Sequence, residues 1–363
     1  MRRNGGSDVP DPAASDPAAP HPAASGDAAS QVTVDVDQRP RRRVSIGGWV
    51  RIVLGVGGLV AIALIIDGIG FDRIVETMRP AMRWVPVICV LEVGRFVSET
   101  AGAYFAFGSR AKEIPLLTLF RANLIGQSIA NLAPAPRLVN ETIKITLLAP
   151  YVGVPAATSV GATIQAATLL SVGLFSFPCA IAIFSLSGAS VWFWAVVIHG
   201  IVLVATGLAI RGMTRAKGPG RWLAKRFPRL APGTAEFAAH AEEVGLWATL
   251  PTVSLLGNRL FQAIQIGVAA FAVGIDTDIV RGMAAQGVNL VANAVGVIVP
   301  AGLGTTDGAF TLAAEMLKTD TAKAASLALL MRCTQLVWLF IGSGVLFFGP
   351  KRSGLPRARV SSR

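Results

Sequence analysis

Apolar runs of about 20 residues, divided by short polar or basic stretches, follow one another from residue 46 to residue 348. That length suits a helix crossing a bilayer. A lone strand would leave its backbone groups unpaired in lipid, whereas a helix satisfies them internally. The chain is therefore expected to be all-α, a polytopic integral membrane helical bundle. Of its 363 residues, 53% are hydrophobic and 15% charged. The mean hydropathy is +0.58, too high for an ordinary soluble domain.

Spans are expected at 46–69, 84–108, 114–133, 156–184, 189–210, 247–274, 279–299 and 323–348. Shorter segments are expected at 138–150 and 305–317. Residues 1–45 are rich in Pro, Ala and Asp, with DPAAS, DPAAP and HPAAS in tandem, and read as a disordered cytoplasmic tail. The first apolar run starts too late and is too long for a signal peptide. The membrane domain is placed at 46–349, with repeat one at about 84–185, a basic linker at 211–245, repeat two at about 250–349, and a basic tail at 350–363.

The net charge of +12 does not call for nucleic acid, because the bases flank the spans. Cytoplasmic loops facing anionic lipid carry this bias. Both termini and the 211–245 linker are accordingly expected in the cytoplasm of a plasma-membrane protein. Cys89, Cys179 and Cys333 lie within spans without paired spacing, and His21, His199 and His240 are scattered. No disulfide framework, metal site or cofactor is expected from them.

One stretch occurs twice. NLIGQSIANLAPAPRLVNE, from Asn123 to Glu141, aligns without a gap on NLVANAVGVIVPAGLGTTD, from Asn289 to Asp307, 166 positions later. Asn123 falls on Asn289, Gln127 on Asn293, Pro134 on Pro300 and Glu141 on Asp307. Each copy is an apolar helix with an amide stripe, then a proline break, then a short segment carrying a carboxylate. Paired interrupted segments of this kind mark the central site of many transporters, whose halves are often inverted. An inverted pair is the arrangement expected here. If the short segments were re-entrant, the count of crossings would change by one and place the linker outside.

A charge at bilayer depth costs about 2.5–3.5 kcal/mol on insertion scales, so ionised residues there need a purpose or a partner. Arg137, Asn140, Glu141 and Lys144 gather after the first break, and Glu141 and Lys144 share a helix face. With free N–H groups at a helix start they suit an anionic headgroup such as a phosphate. Gly302, Gly304 and Asp307 form the counterpart, in which Thr305 or Thr306 is expected to cap the helix and Asp307 to sit in its first turn. The amides Asn123, Gln127, Asn131, Asn289 and Asn293 are expected to line the cavity or to join helices. Glu92, Arg95 and Glu99 form an i, i+3, i+7 series expected to hold an internal ion pair that lines the cavity or braces it; Arg332 is also expected to line the cavity, and Arg259 is read as a helix entry.

Pro134, Glu141 and Lys144, followed in the second half by PAGLGTTD, resemble the transmembrane region of lysylphosphatidylglycerol synthases, which also occurs as a stand-alone flippase-like module. The resemblance covers about 48–349. The family motifs usually carry Arg where Lys144 stands and Glu where Asp307 stands. Charge sign is kept, but a lysine cannot make the bidentate contact of an arginine. Arg332 matches an arginine frequent in the family's last span.

The resemblance implies movement of an aminoacylated lipid between leaflets. The 350–363 tail leaves no room for the soluble transferase domain, so a separate lipid-modifying enzyme is an expected partner. The reading is a lipid translocator without enzymatic activity, binding a phospholipid, glycolipid or polyprenyl-phosphate lipid between the two broken segments. Two alternatives stand beside it. One is an intramembrane enzyme acting on lipid-linked sugars, suggested by Asp276 and Asp278, which have the spacing of a metal-binding acidic pair. The other is a non-transporting membrane scaffold.

Overall fold

The computed structural model describes residues 70–130, 136–216, 245–296 and 304–348, together with Leu64, Asp67 and Glu242. Most of the first expected span, both tails and most of the basic linker lie outside the described residues, as do Asn131, Pro134, Gly302 and the side chain of Arg137.

Among the described residues every regular element is helical. α1 (Phe71–Ala81) is followed by α2 (Val85–Phe107), α3 (Leu116–Ala130), α4 (Pro136–Val152), α5 (Val154–Ser187) and α6 (Val191–Arg215). After the linker come α7 (Thr249–Ala272), α8 (Ile279–Gly296), α9 (Thr305–Leu312) and α10 (Thr321–Phe348). α5, α6, α7 and α10 are long and apolar enough to cross a membrane. The chain is an integral membrane protein.

Two elements depart from expectation. α1 is too polar for a span and too short to cross. It is amphipathic, burying Ile74 and Ala81 while Phe71 and Val75 stay exposed. α9 ends at Leu312 rather than at 317. The following residues wind through turns, and Lys318 adopts a positive φ of 52°.

The 166-residue offset carries α2, α3, α4 and α5 onto α7, α8, α9 and α10 in order. Their packing partners exchange in the same way. α3 meets α4 and α8 meets α9; α3 meets α10 and α8 meets α5; α2 meets α10 and α7 meets α5. α2 and α7, equivalent under the offset, pack on each other. Their contacts run in opposite directions. Trp84 stacks edge-on against Phe271 at 5.4 Å, Gln265 Nε2 donates to the Ile88 carbonyl at 3.0 Å, and Asn258 Nδ2 donates to the Arg95 carbonyl at 3.0 Å. Equivalent helices that cross antiparallel place the axis exchanging them perpendicular to the helices.

α3 and α4 form a hairpin. Arg110, in the turn before α3, donates to the Val152 carbonyl at the end of α4 at 2.8 Å. Phe107, Ala111, Ile114 and Leu119 share one apolar cluster with Leu148 and Val152, so the open ends of the hairpin lie together. At its other end, residues 131–135 lie outside the described residues. In the second half Val273 and Ile275, before α8, cluster with Leu317, after α9.

Small residues set the closest approaches. A Cβ on Gly173 of α5 would lie 2.8 Å from the Gly200 carbonyl of α6, and one on Gly126 of α3 would lie 2.3 Å from Asn140 Oδ1 of α4. Apolar burial does not drive helices together in lipid, so this close packing does.

Candidate functional site

Glu141 and Lys144 sit one turn apart on α4, with Lys144 Nζ 3.3 Å from Glu141 Oε1. The same ammonium is 2.7 Å from Glu99 Oε1 on α2. Lys144 is 6% exposed, so one nearly enclosed cation serves two carboxylates. Glu141 faces Gly161 of α5, where a Cβ would sit at ordinary contact distance, 3.5 Å from Glu141 Oε2. Asn140, also buried, donates to Gln127 Oε1 of α3 at 3.4 Å, and its own Oδ1 has no partner among the described residues.

The series Glu92, Arg95, Glu99 holds the expected internal ion pair, between Arg95 and Glu92. Arg95 Nη1 bonds both oxygens of Glu92, at 2.8 and 2.7 Å, and Glu92 also accepts from Gln265 Nε2 at 2.8 Å. With Arg95 engaged there, Glu99 turns to Lys144. The charges of Arg95 and Arg259 also act on Glu99. Arg259 lies well inside α7 and is not a helix entry.

In the second half Asp307 is buried in the first turn of α9. Its Oδ2 accepts the Gly304 N–H at 3.1 Å, so the carboxylate itself closes the helix start, rather than Thr305 or Thr306. This is one side of a capping box; glycine has no side chain to supply the other. Gly304 has φ 77° and ψ −26°, a left-handed conformation that suits glycine. Arg332 of α10 grips Asp307 with two bonds, Nε to Oδ1 at 3.1 Å and Nη2 to Oδ2 at 2.5 Å.

Amides link the regions around these two carboxylates. Arg259 Nη1 donates to Gln262 Oε1 at 2.9 Å, and Gln286 Nε2 donates to the same oxygen at 3.0 Å. Asn289 donates to Gln286 at 3.4 Å and Asn293 to Asn289 at 3.0 Å. The row thus runs from the arginine that acts on Glu99 to the end of α8, just before the second break. Asn123 takes another role, donating to Thr100 Oγ1 at 3.0 Å and joining α3 to α2.

Asn258, Gln262, Gln265 and Gln286 were not singled out from the sequence. A signal was present. Asn258, Gln262 and Gln265 recur at i, i+4 and i+7 within an apolar run, and the 166-residue offset places Glu92 on Asn258 and Glu99 on Gln265.

Asp276 and Asp278 are held by one arginine. Arg281 bonds the Asp276 carboxylate and carbonyl, and its N–H donates to Asp278 Oδ1 at 2.7 Å at the start of α8. Among the described residues no group of three His, Cys, Asp or Glu side chains is placed to hold a metal ion.

A helical membrane bundle with two carboxylates, Glu141 and Asp307, each paired with a base defines the class. The chain matches the family described as the lysylphosphatidylglycerol synthase TM region over residues 48–344, and it belongs to that family. No curated protein and no solved structure matches it significantly.

Proposed function

We propose that the protein is a lipid translocator that binds a phosphate-bearing headgroup between its two interrupted helices while the acyl chains stay in the bilayer. The observation that carries this reading is the pair of base-matched carboxylates at offset-equivalent positions. Glu141 and Asp307 occupy equivalent positions, each early in a short helix that follows a break, and each is matched with a base. Membership of a family named for a lipid synthase supports a lipid ligand.

The two halves are inverted in this reading. The antiparallel crossing of α2 and α7 supports it. So does chain parity: α5, α6 and α7 separate the open ends of the two hairpins, and three crossings put those ends on opposite faces. A hairpin returns to the face it left whether its arms cross fully or halfway, so parity is the same in both cases. With the 211–245 linker cytoplasmic, the first hairpin opens to the cytoplasm and the second to the exterior. Arg137, Asn140, Glu141 and Lys144 would meet the headgroup from one side, and Gly302, Gly304 and Asp307 from the other. Gln127, Asn131, Asn289 and Asn293 would line the path between. Both termini would lie in the cytoplasm of a cell whose plasma membrane holds the protein.

Leaflet exchange of labelled phospholipids and polyprenyl-phosphate lipids in proteoliposomes tests the proposal. Wild type is expected to exchange at least one of them, and Glu141→Gln and Asp307→Asn, inserted to equal levels, to lose that exchange. Exchange that survives in both variants would remove the repeated carboxylates from the mechanism.

A further inference from the structure

α1 carries more apolar surface than the bundle buries. Residues are about 100° apart around a helix, so Phe71, Val75 and Met82 fall within about 40° of one another and form one stripe. They are 66%, 41% and 47% exposed. Ile74 and Ala81, on the flank beside that stripe, are buried, and Met78 between the two is half-buried. The bundle thus covers one edge of the apolar arc and leaves the other edge open. Arg73, Glu76 and Thr77 lie on the far side of the helix. With Asp320 and Lys323 they line a cavity of about 380 Å³, whose ionisable side chains belong in water.

Contacts at both ends set the depth of this helix. Trp84, just beyond α1, meets Phe271 at the end of α7, a helix long and apolar enough to cross a membrane. α7 begins beside the basic linker, so its other end, and α1 with it, lies at the opposite membrane surface. Lys323 and Asp320 stand at the start of α10, a second such span, and the cavity they share with Arg73 and Thr77 puts α1 at that same level. On α7 the exposed residues Leu260, Ile264 and Phe271 repeat the spacing of Phe71, Val75 and Met82, and Phe271 joins that outward stripe to Trp84. The open edge of α1 is therefore continuous with the outward face of a span. A helix at the level where spans end, apolar on one side and charged on the other, suits the plane of a bilayer surface. We propose that α1 is an interfacial helix at the membrane surface opposite the 211–245 linker, with Phe71, Val75 and Met82 set into the acyl chains of that leaflet. Arg79, exposed one turn beyond Val75, reaches lipid phosphates from the edge of the stripe by its long stem. Arg73 and Glu76 face water.

Fluorescence quenching on the full-length protein in phosphatidylcholine–phosphatidylglycerol vesicles tests this. In a cysteine-free background, Val75→Cys and Glu76→Cys each carry an NBD fluorophore; both side chains are exposed, so the label displaces no packing. Phe340→Cys, at an exposed position within α10, carries the same label and reports by its own quenching that the protein is inserted. An interfacial helix sets its apolar side about 5–10 Å into the headgroup and acyl boundary, so the Val75 label is expected to lose about half of its intensity to phosphatidylcholine brominated in the upper acyl chain. Iodide on both sides of the vesicles is expected to quench the Glu76 label and to spare the Val75 label. Iodide quenching at Val75 equal to that at Glu76 overturns the inference, because the stripe then lies in water. Shielding of Val75 from both quenchers also overturns it, because protein rather than lipid then covers the stripe. The measurement needs no lipid movement, so its outcome is independent of translocation.

Discussion

The Asp307–Arg332 pair offers the sharpest test of the second half-site. Asp307 is 2% exposed and receives two bonds from the guanidinium, so the carboxylate has no water to fall back on. Removing one member of a buried pair costs about 3–5 kcal/mol, since the other is left charged and uncompensated. Arg332→Met should therefore destabilise by that amount, although the Gly304 N–H still reaches Asp307. Asp307→Asn should cost about as much, because it strands the arginine. The double variant removes both charges while an asparagine oxygen can still accept from Gly304. It should cost well under the sum of the singles, with a coupling energy of about 2–3 kcal/mol. Unfolding in mixed detergent micelles, followed by circular dichroism, gives the four free energies. If the single losses simply add, the pair is not energetically coupled and the arrangement described at α9 is refuted.

Other outcomes follow from the same geometry. Gly126→Ala should destabilise by about 1–3 kcal/mol through overpacking against Asn140, and Asn140→Ala should restore part of the loss, read as midpoint shifts in the same unfolding assay. Gln262→Leu removes the acceptor shared by Arg259 and Gln286, and should cost about 1–3 kcal/mol for each donor it strands, whereas Gln262→Glu should cost less. A cysteine placed at Glu113 in a cysteine-free background should react with an impermeant maleimide only from the cytoplasmic side, and one at Asp278 only from outside; reaction of both from one side would rule out inverted halves. Asp276→Asn with Asp278→Asn should leave lipid exchange within about twofold of wild type, since both acids serve the start of α8, and its loss would favour an enzyme of lipid-linked sugars.

Helix positions were legible because the apolar runs are long and the breaks are strong. The ends of α2 to α8 and of α10 fall within a few residues of the limits expected from hydropathy, proline and glycine. α1 escaped because its pattern is amphipathic rather than continuously apolar, a signal read by periodicity and not by mean hydropathy. At the site, Glu141–Lys144 was legible as a local i, i+3 pair. The internal ion pair expected in the series Glu92, Arg95, Glu99 is also present, between Arg95 and Glu92. Glu99 pairs instead with a tertiary neighbour, Lys144, and no rule of local spacing gives that. The antiparallel crossing of α2 and α7 is likewise tertiary, although the internal repeat had named the two helices as equivalents.

The repeat conserves the acid and not the base. Under the 166-residue offset Glu141 meets Asp307, but Lys144 meets Phe310, which is fully buried, and Arg332 meets Ala166. The first half supplies its cation from the same short helix, one turn beyond the acid, and shares it with a third element through Glu99. The second supplies it from the long helix α10, with two bonds to its acid. Equivalent substitutions therefore have unequal consequences. Loss of Lys144 strands two carboxylates and unties α4 from α2. Loss of Arg332 strands one and unties α9 from α10.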